Sequence, residues 1–295
     1  MSAIADPAHA LTPSGNLVRR QFVSRLVLAG AVGAAALAVA VLGILVFYTG
    51  LKGAGQLSLT FFTGQLPSYN GVGGGLGPAL VGTIELSLFA TVIALPIGVM
   101  TALFVSEFAR PRVAAVLETA LDLMAGMPSI IIGVFVVLLI VDNFQQSVIA
   151  AAVALSMVEV PLIARATLVS LSRVPKPLRE AADALGVARW RITLGVVLPT
   201  SANSILTATV LAVARAAGET APILFTCSVF TQAYAVNPLH SVPSMPVEIL
   251  TLAESEYPAA ISKAWGAAFL LMFTILIVNI CARLWLNRSR RKRGL

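Results

Sequence analysis

Six runs of apolar residues, each close to the roughly 20 residues needed to cross a bilayer as a helix, constrain this chain more than any other feature. They extend from Leu26 to Tyr48, Leu80 to Val105, Leu123 to Val141, Ser147 to Leu171, Ser204 to Phe230 and Ala264 to Leu286, with charge, Gly or Pro between them. In lipid every backbone polar group needs a partner within the protein, and helices supply one locally. The runs therefore predict an all-α polytopic membrane protein with six transmembrane helices. Composition agrees: 58% of residues are hydrophobic and 11% charged, with a mean hydropathy of +0.92, far from soluble usage. The first run is too long for a signal-peptide core and no polar domain follows it, so it is expected to stay in the membrane.

Orientation is read from Lys and Arg in the connecting segments. With the N-terminus inside, the inner segments carry Arg19, Arg20, Arg25, Arg110, Arg112, Arg173, Lys176, Arg179, Arg189, Arg191, Arg283, Arg288, Arg290, Arg291, Lys292 and Arg293. The outer segments carry only Lys52 and Lys263, and Arg165 and Arg215 fall inside spans. Both termini are expected to be cytoplasmic. The domain reading follows: residues 1–25 a cytoplasmic tail, 26–286 a six-span domain with a cytoplasmic loop at 174–199, and 287–295 a basic cytoplasmic tail. A net charge of +7 would suit nucleic acid, but the charges never form one extended basic face. The basic tail beside a span is instead an orientation and anionic-lipid signal. The outer segment from Thr231 to Lys263 holds four prolines and reads as an irregular cap.

Several chemistries are excluded. No lysine follows a glycine, so no phosphate-cradling loop for a nucleotide exists, and the run Gly71 to Gly77 reads as a turn into the second span. His9 and His240 are the only histidines, and they lie too far apart in sequence to build a His-Glu-x-x-His zinc site. Cys227 and Cys281 are expected toward opposite membrane faces, which excludes a disulfide between them.

The segment between the fourth and fifth runs carries the strongest signal. Pro177 can open a short helix on which Leu178, Ala181, Ala182 and Leu185 share one face, with Arg179 and Asp183 on others, before Gly186 stops it. A second helical piece around Trp190 and Leu194 leads into the next span. Such a knob suits a groove on a partner, while the physics of an amphipathic helix beside a span slightly favours a place on the lipid headgroups. Glu180-Ala181-Ala182, Gly186 and Leu198-Pro199 resemble the coupling loop of permease subunits of binding-protein-dependent ABC importers, with Val196 where that pattern has Ile. Three further segments resemble the phosphate-specific branch, and its PstA-type rather than PstC-type subunits. They are Gly73 to Thr83, Gly126-Met127-Pro128-Ser129-Ile130-Ile131-Ile132-Gly133, and Arg215 to Thr226 with its Gly-Glu-Thr-Ala-Pro.

Ionisable residues inside the runs carry the rest. On insertion scales a mid-membrane charge costs about 2.5 to 3.5 kcal/mol, so each demands a partner or an aqueous lining. Arg215 is expected near the middle of the fifth span with Glu219 one turn later. The pair either lines a translocation path, its guanidinium offering a fork to oxyanion oxygens, or fixes helix packing. Arg165 either faces the path or snorkels to the inner interface. Glu159, just before Val160-Pro161, is expected to balance Arg165 or Arg215. Glu118 and Asp122 fit the inner mouth of the third span.

The resemblance implies a type I ABC importer permease fold in the cytoplasmic membrane of a bacterium. It implies phosphate as substrate, and three partners: a second, PstC-like permease subunit, a PstB-like ATP-binding dimer and an extracytoplasmic PstS-like phosphate-binding protein. Glu180, Ala181, Ala182 and Gly186 would contact the ATPase; Arg215, Glu219, Arg165 and Glu159 would line the path. No cofactor is expected in this chain, since ATP and Mg would be bound by the partner. A permease for sulfate, molybdate or tungstate, and a non-transport scaffold with a docking loop, remain as alternatives.

Overall fold

The computed structural model describes residues 15–68, 70–227 and 237–292. Among these residues there are helices, turns and irregular segments, and no strand. The chain divides into two units, one ending at Gly50 and one starting at Leu51. The first is carried by α1 (Gly15–Gly53), which includes the first apolar run. Its helix starts ahead of Leu26, so the expected tail is helical from Gly15, while residues 1–14 lie outside the described ones.

The second unit opens with a short α2 (Leu59–Thr63), whose N-cap Ser58 accepts a hydrogen bond from the N–H of Phe61. A Gly-rich turn follows, with positive φ at Gly71, Gly73 and Gly74 and the Lys263 ammonium donating to the Gly73 carbonyl. That turn leads into α3 (Gly77–Leu103), which is prolonged by a widened π turn at Phe104–Phe108. Next come α4 (Pro111–Gly126) and α5 (Ser129–Val136), the latter running through a second π turn into α6 (Asp142–Phe144). Then α7 (Val148–Ser172) is capped by Ser147, and α8 (Lys176–Ala184) precedes α9 (Arg189–Ile192), continuous through a third π turn with α10 (Leu198–Ala216). Finally α11 (Ala221–Thr226), α12 (Met245–Ala253) and α13 (Pro258–Lys292) complete the chain.

Five of these helical stretches are long and apolar enough to cross a membrane, and α4 with α5–α6 makes a sixth if the bent pair counts as one span. Two expected spans are corrected. The third is not a straight helix from Leu123 to Val141: Pro128 pushes Met127 into extended backbone, and the chain turns by 97° between Gly126 and Ser129. The fifth starts at Arg189 rather than Ser204 and ends at Ala216, where Ala217-Gly218 break the helix before α11. The expected end of that run at Phe230 and the start of the outer segment at Thr231 lie outside the described residues. The expected basic tail continues α13 to Lys292, with 293–295 outside.

Three helices form the core of this unit. Leu86 and Ala90 of α3 pack on Val148, Ala151 and Leu155 of α7 and on Ala216 of α10. Further along, Ala94 meets Ile163 and Ala212, and then Ala102 and Leu103 meet Leu171 and Val197. That register makes α3 and α7 parallel and α10 antiparallel to both. Small residues permit the close approach: a Cβ on Gly98 would lie 3.0 Å from that of Ile163. At the end where α3 begins, the Met245 N–H donates to the Thr83 hydroxyl at 2.8 Å, tying α12 to α3. Arg110, Arg112, Arg173, Lys176, Arg179, Arg189 and Arg191 all lie at the opposite end, where α3 and α7 finish. Cys227 is buried and Cys281 exposed, and they form no disulfide with each other.

Candidate functional site: two interrupted helices at a charged cavity

Proline dictates the first interruption and glycine the second. Between α4 and α5, Met127 and Pro128 are extended, and Ser129 restarts the helix. Between α10 and α11, the chain turns through Ala217-Gly218, and Pro222 sits in the first turn of the new helix, where its missing N–H costs nothing. The two short helices abut directly. A Cβ on Gly133 of α5 would lie 3.0 Å from Cα of Pro222 and 3.4 Å from the carbonyl oxygen of Ala221. Thus Gly126–Gly133 and Arg215–Thr226, distant in sequence, share one place in the fold.

They enclose a cavity of about 240 Å³ lined by Met127, Pro128, Ser129, Leu162, Arg215 and Glu219, among others. Arg215 is not at mid-helix as expected: it is the penultimate residue of α10, where free carbonyls of the helix end favour a cation. Glu219 is not one helical turn on, because the helix has already stopped. The turn nevertheless folds it back, with Arg215 Nε 3.6 Å from Glu219 Oε1. At that distance the contact is an ion pair and not a hydrogen bond. The Arg215 side chain is 61% exposed and Glu219 17%, so the arginine, not the carboxylate, is the group open to a ligand.

A wider cleft of about 480 Å³ adjoins it, sharing Ala125 and Leu162 and carrying Arg165 and Arg173. Arg165 is held by α4, and Glu159 does not balance it. Its Nη2 donates to the Glu118 carbonyl oxygen at 2.7 Å, Nη1 lies 3.4 Å from Glu118 Oε2, and Nη2 also pairs with Asp122. Glu118 and Asp122, expected only at the mouth of a span, therefore hold α4 to α7. Their i,i+4 spacing on an amphipathic helix was the available signal. Glu159 is fully buried on α7 and lines neither of these cavities. It pairs with neither Arg165 nor Arg215.

At the end where α7 finishes, α8 stands clear of the core with no buried residue. Its faces differ from the expected ones. Ala182 packs against the cluster around Leu171 and Ile192, and Arg179 turns inward with it, leaving Leu178, Glu180, Ala181 and Leu185 exposed. Leu185 is 81% and Trp190 55% exposed, an apolar surface that no other described residue covers. Gly186 has φ +68, a conformation that glycine adopts without strain, and it ends the helix sharply. Among the described residues no group of three or more His, Cys, Asp or Glu is placed to hold a metal ion.

Long apolar helices, two of them interrupted at a charged cavity, and an exposed helix beyond the core define a membrane-embedded permease. Residues 94–293 match the family described as binding-protein-dependent transport system inner membrane component, and the chain belongs to that family. The phosphate transport system permease protein PstA of Yersinia pestis is 38% identical over 241 residues, covering 81% of this chain and 81% of that one. The probable phosphate transport system permease protein PstA of Methanocaldococcus jannaschii is 34% identical over 229 residues, covering 77% and 80%. A chain of a bacterial alginate ABC transporter, solved in complex with an alginate pentasaccharide-bound periplasmic protein, superposes with a TM-score of 0.61 at 14% identity, over 93% of this chain and 96% of that chain. That last likeness shows the fold: the helices described above are those of an ABC importer permease.

Proposed function

We propose that this chain is one of two permease subunits of an ATP-driven importer of inorganic phosphate in the cytoplasmic membrane. The observation that carries the reading is the meeting of the two interrupted helices at the Arg215–Glu219 cavity. Each contributes a segment resembling the phosphate branch, and the curated relatives above are named as phosphate permeases. Arg215 offers a forked donor to phosphate oxygens, and the first N–H groups of α5 at Ser129 lack intrahelical acceptors and add donors of the same sense. Glu219 limits how tightly an anion is held, which transport requires. From there the ion passes by Ala125 and Leu162 to the cleft that carries Arg165 and Arg173.

Energy comes from elsewhere. An ATP-binding subunit dimer docks on the exposed face of α8, with Glu180, Ala181 and Gly186 at the contact, and binds ATP and Mg itself. The second permease subunit completes the path, and an extracytoplasmic binding protein delivers phosphate at the end where α3 begins. The basic end of the helices then faces the cytoplasm, in accord with the inside bias of Lys and Arg, and both termini lie there.

The test is uptake of labelled phosphate by the assembled complex, with sulfate and molybdate as competitors. Phosphate-selective uptake is expected. Uptake that sulfate or molybdate suppresses, with phosphate inert, would transfer the site to another oxyanion; no uptake of any oxyanion by an assembled, ATP-hydrolysing complex would end the reading.

A further inference from the structure

The helix α8, which has no buried residue, is joined to the end of α3 by one ion pair. Arg179, on the inward face of α8, places Nη2 3.0 Å from Oε1 of Glu107 and donates from the same nitrogen to the Leu171 carbonyl oxygen at 2.9 Å. The pair is well shielded, the Glu107 side chain being 10% exposed and that of Arg179 27%. Glu107 lies in the π turn that prolongs α3, and Oε1 also accepts from the Ser106 hydroxyl at 3.0 Å. Leu171 is in the last turn of α7. One guanidinium thus grips the ends of the two parallel helices at the centre of the core.

Little else fastens α8. No residue in it is buried, and besides Arg179 only Ala182 leans on the core. Without the ion pair, α8 would be held only by its short links to α7 and α9 and by the Ala182 contact, and much of a push on it would be lost before reaching α3. With it, a push on α8 acts at once on α3 and α7, which pack along their whole length. Of these, α7 carries Leu162 and Arg165 into the two cavities.

We infer that Arg179, braced on Glu107 and on the Leu171 carbonyl, is the positioning residue that transmits movement of the docking helix to α3 and α7. The inference rests on the importer reading above. Arg179 touches no substrate and is turned away from the exposed face that meets the partner, so its loss separates hydrolysis from transport without releasing the partner.

The experiment uses the assembled complex with its ATPase, reconstituted in vesicles, and measures phosphate moved per ATP hydrolysed for Arg179→Gln, Arg179→Lys, Glu107→Gln and the exchange Arg179→Glu with Glu107→Arg. Arg179→Gln and Glu107→Gln are expected to keep co-purification and hydrolysis within about twofold while the transport ratio falls about tenfold or more. Arg179→Lys, which keeps a charged donor facing Glu107 and the Leu171 carbonyl, is expected to retain part of that ratio; the exchange pair restores only the tie to α3, because a carboxylate cannot donate to the Leu171 carbonyl, and is expected to stay below Arg179→Lys. An unchanged ratio, or transport and hydrolysis falling together with loss of assembly, would overturn the inference. So would an Arg179→Lys chain no better than Arg179→Gln. Gly186→Asp, which alters the docking turn itself, serves as the reference for lost assembly. A wild-type complex that moves no phosphate identifies failure of the importer reading instead.

Discussion

Nε of Arg215 lies 3.6 Å from Oε1 of Glu219 although the helix that carries the arginine ends one residue after it. The pair is made by a turn, not by a helix face. Exposed ion pairs add less than about 1 kcal/mol to stability, so this one is poorly suited to holding the fold. Arg215→Gln is therefore expected to leave the melting temperature and assembly of the complex nearly unchanged and to abolish uptake. Loss of assembly at normal intrinsic uptake would return the pair to a packing role. Thermal unfolding and vesicle uptake on the same preparation decide it.

The contact between Gly133 and Pro222 makes a second prediction that leaves all charges in place. A Cβ at 133 meets backbone of α11 at 3.0 Å, and backbone cannot rotate aside as a side chain does. Gly133→Val forces α5 from α11 and distorts the cavity, with an overpacking cost of about 1–3 kcal/mol. Uptake should fall by more than the stability loss explains, and Gly133→Ala should be intermediate. Unfolding midpoints and uptake together test the order.

Gly186 separates conformation from space. A Cβ there touches nothing within 4 Å, yet φ is +68. Gly186→Ala should cost about 1–2 kcal/mol through the left-handed backbone alone, weakening ATPase binding, whereas Gly186→Asn should be milder because Asn tolerates that region. Affinity of the ATPase subunit for the three versions is the measurement, and equal losses for Ala and Asn would refute the backbone argument.

Glu248 gives a pH dependence. It lies on α12, outside the spanning helices, and burial raises its carboxyl from 4.5 to about 7. The folded chain then holds a proton that the unfolded chain releases, so the stabilisation is complete below pH 4.5 and is lost as pH rises toward 7. The difference is on the order of 3 kcal/mol. Glu248→Gln should flatten the midpoint-against-pH curve across this window and stabilise the protein above pH 7. A wild-type curve that rises from pH 4.5 to 7 would contradict the assignment.

Much of this architecture is legible in the residues, and the failures have physical reasons. The fourth apolar run, Ser147 to Leu171, matches α7 almost residue for residue, because Ser147 caps it and the run ends in polar sequence. The third and fifth runs mislead because hydropathy records composition and not direction: Met127-Pro128 turns the chain by 97° without a polar residue. Arg215 and Glu219 were recognisable as a pair by spacing, though their placement at a helix end was not. The partners of Arg165 and Arg179 come from remote segments: the i,i+4 spacing marks Glu118 and Asp122 as one helix face but does not name Arg165, and no local pattern announces Glu107. On α8 the apolar stripe reads as a docking face, and Leu178, Ala181 and Leu185 are exposed; Ala182 departs from it, turned inward with Arg179, whose acceptors lie there.

The interrupted helices have one more consequence. Where α4 gives way to α5 and α10 to α11, peptide groups leave the hydrogen-bond ladder beside Leu162, midway along α7. Hydrocarbon cannot satisfy such groups, so in a bilayer each needs a partner in the protein or in a water-filled cavity. The cavity that carries Arg215 lies at that level, so an aqueous lining there would serve the freed backbone and an arriving anion alike.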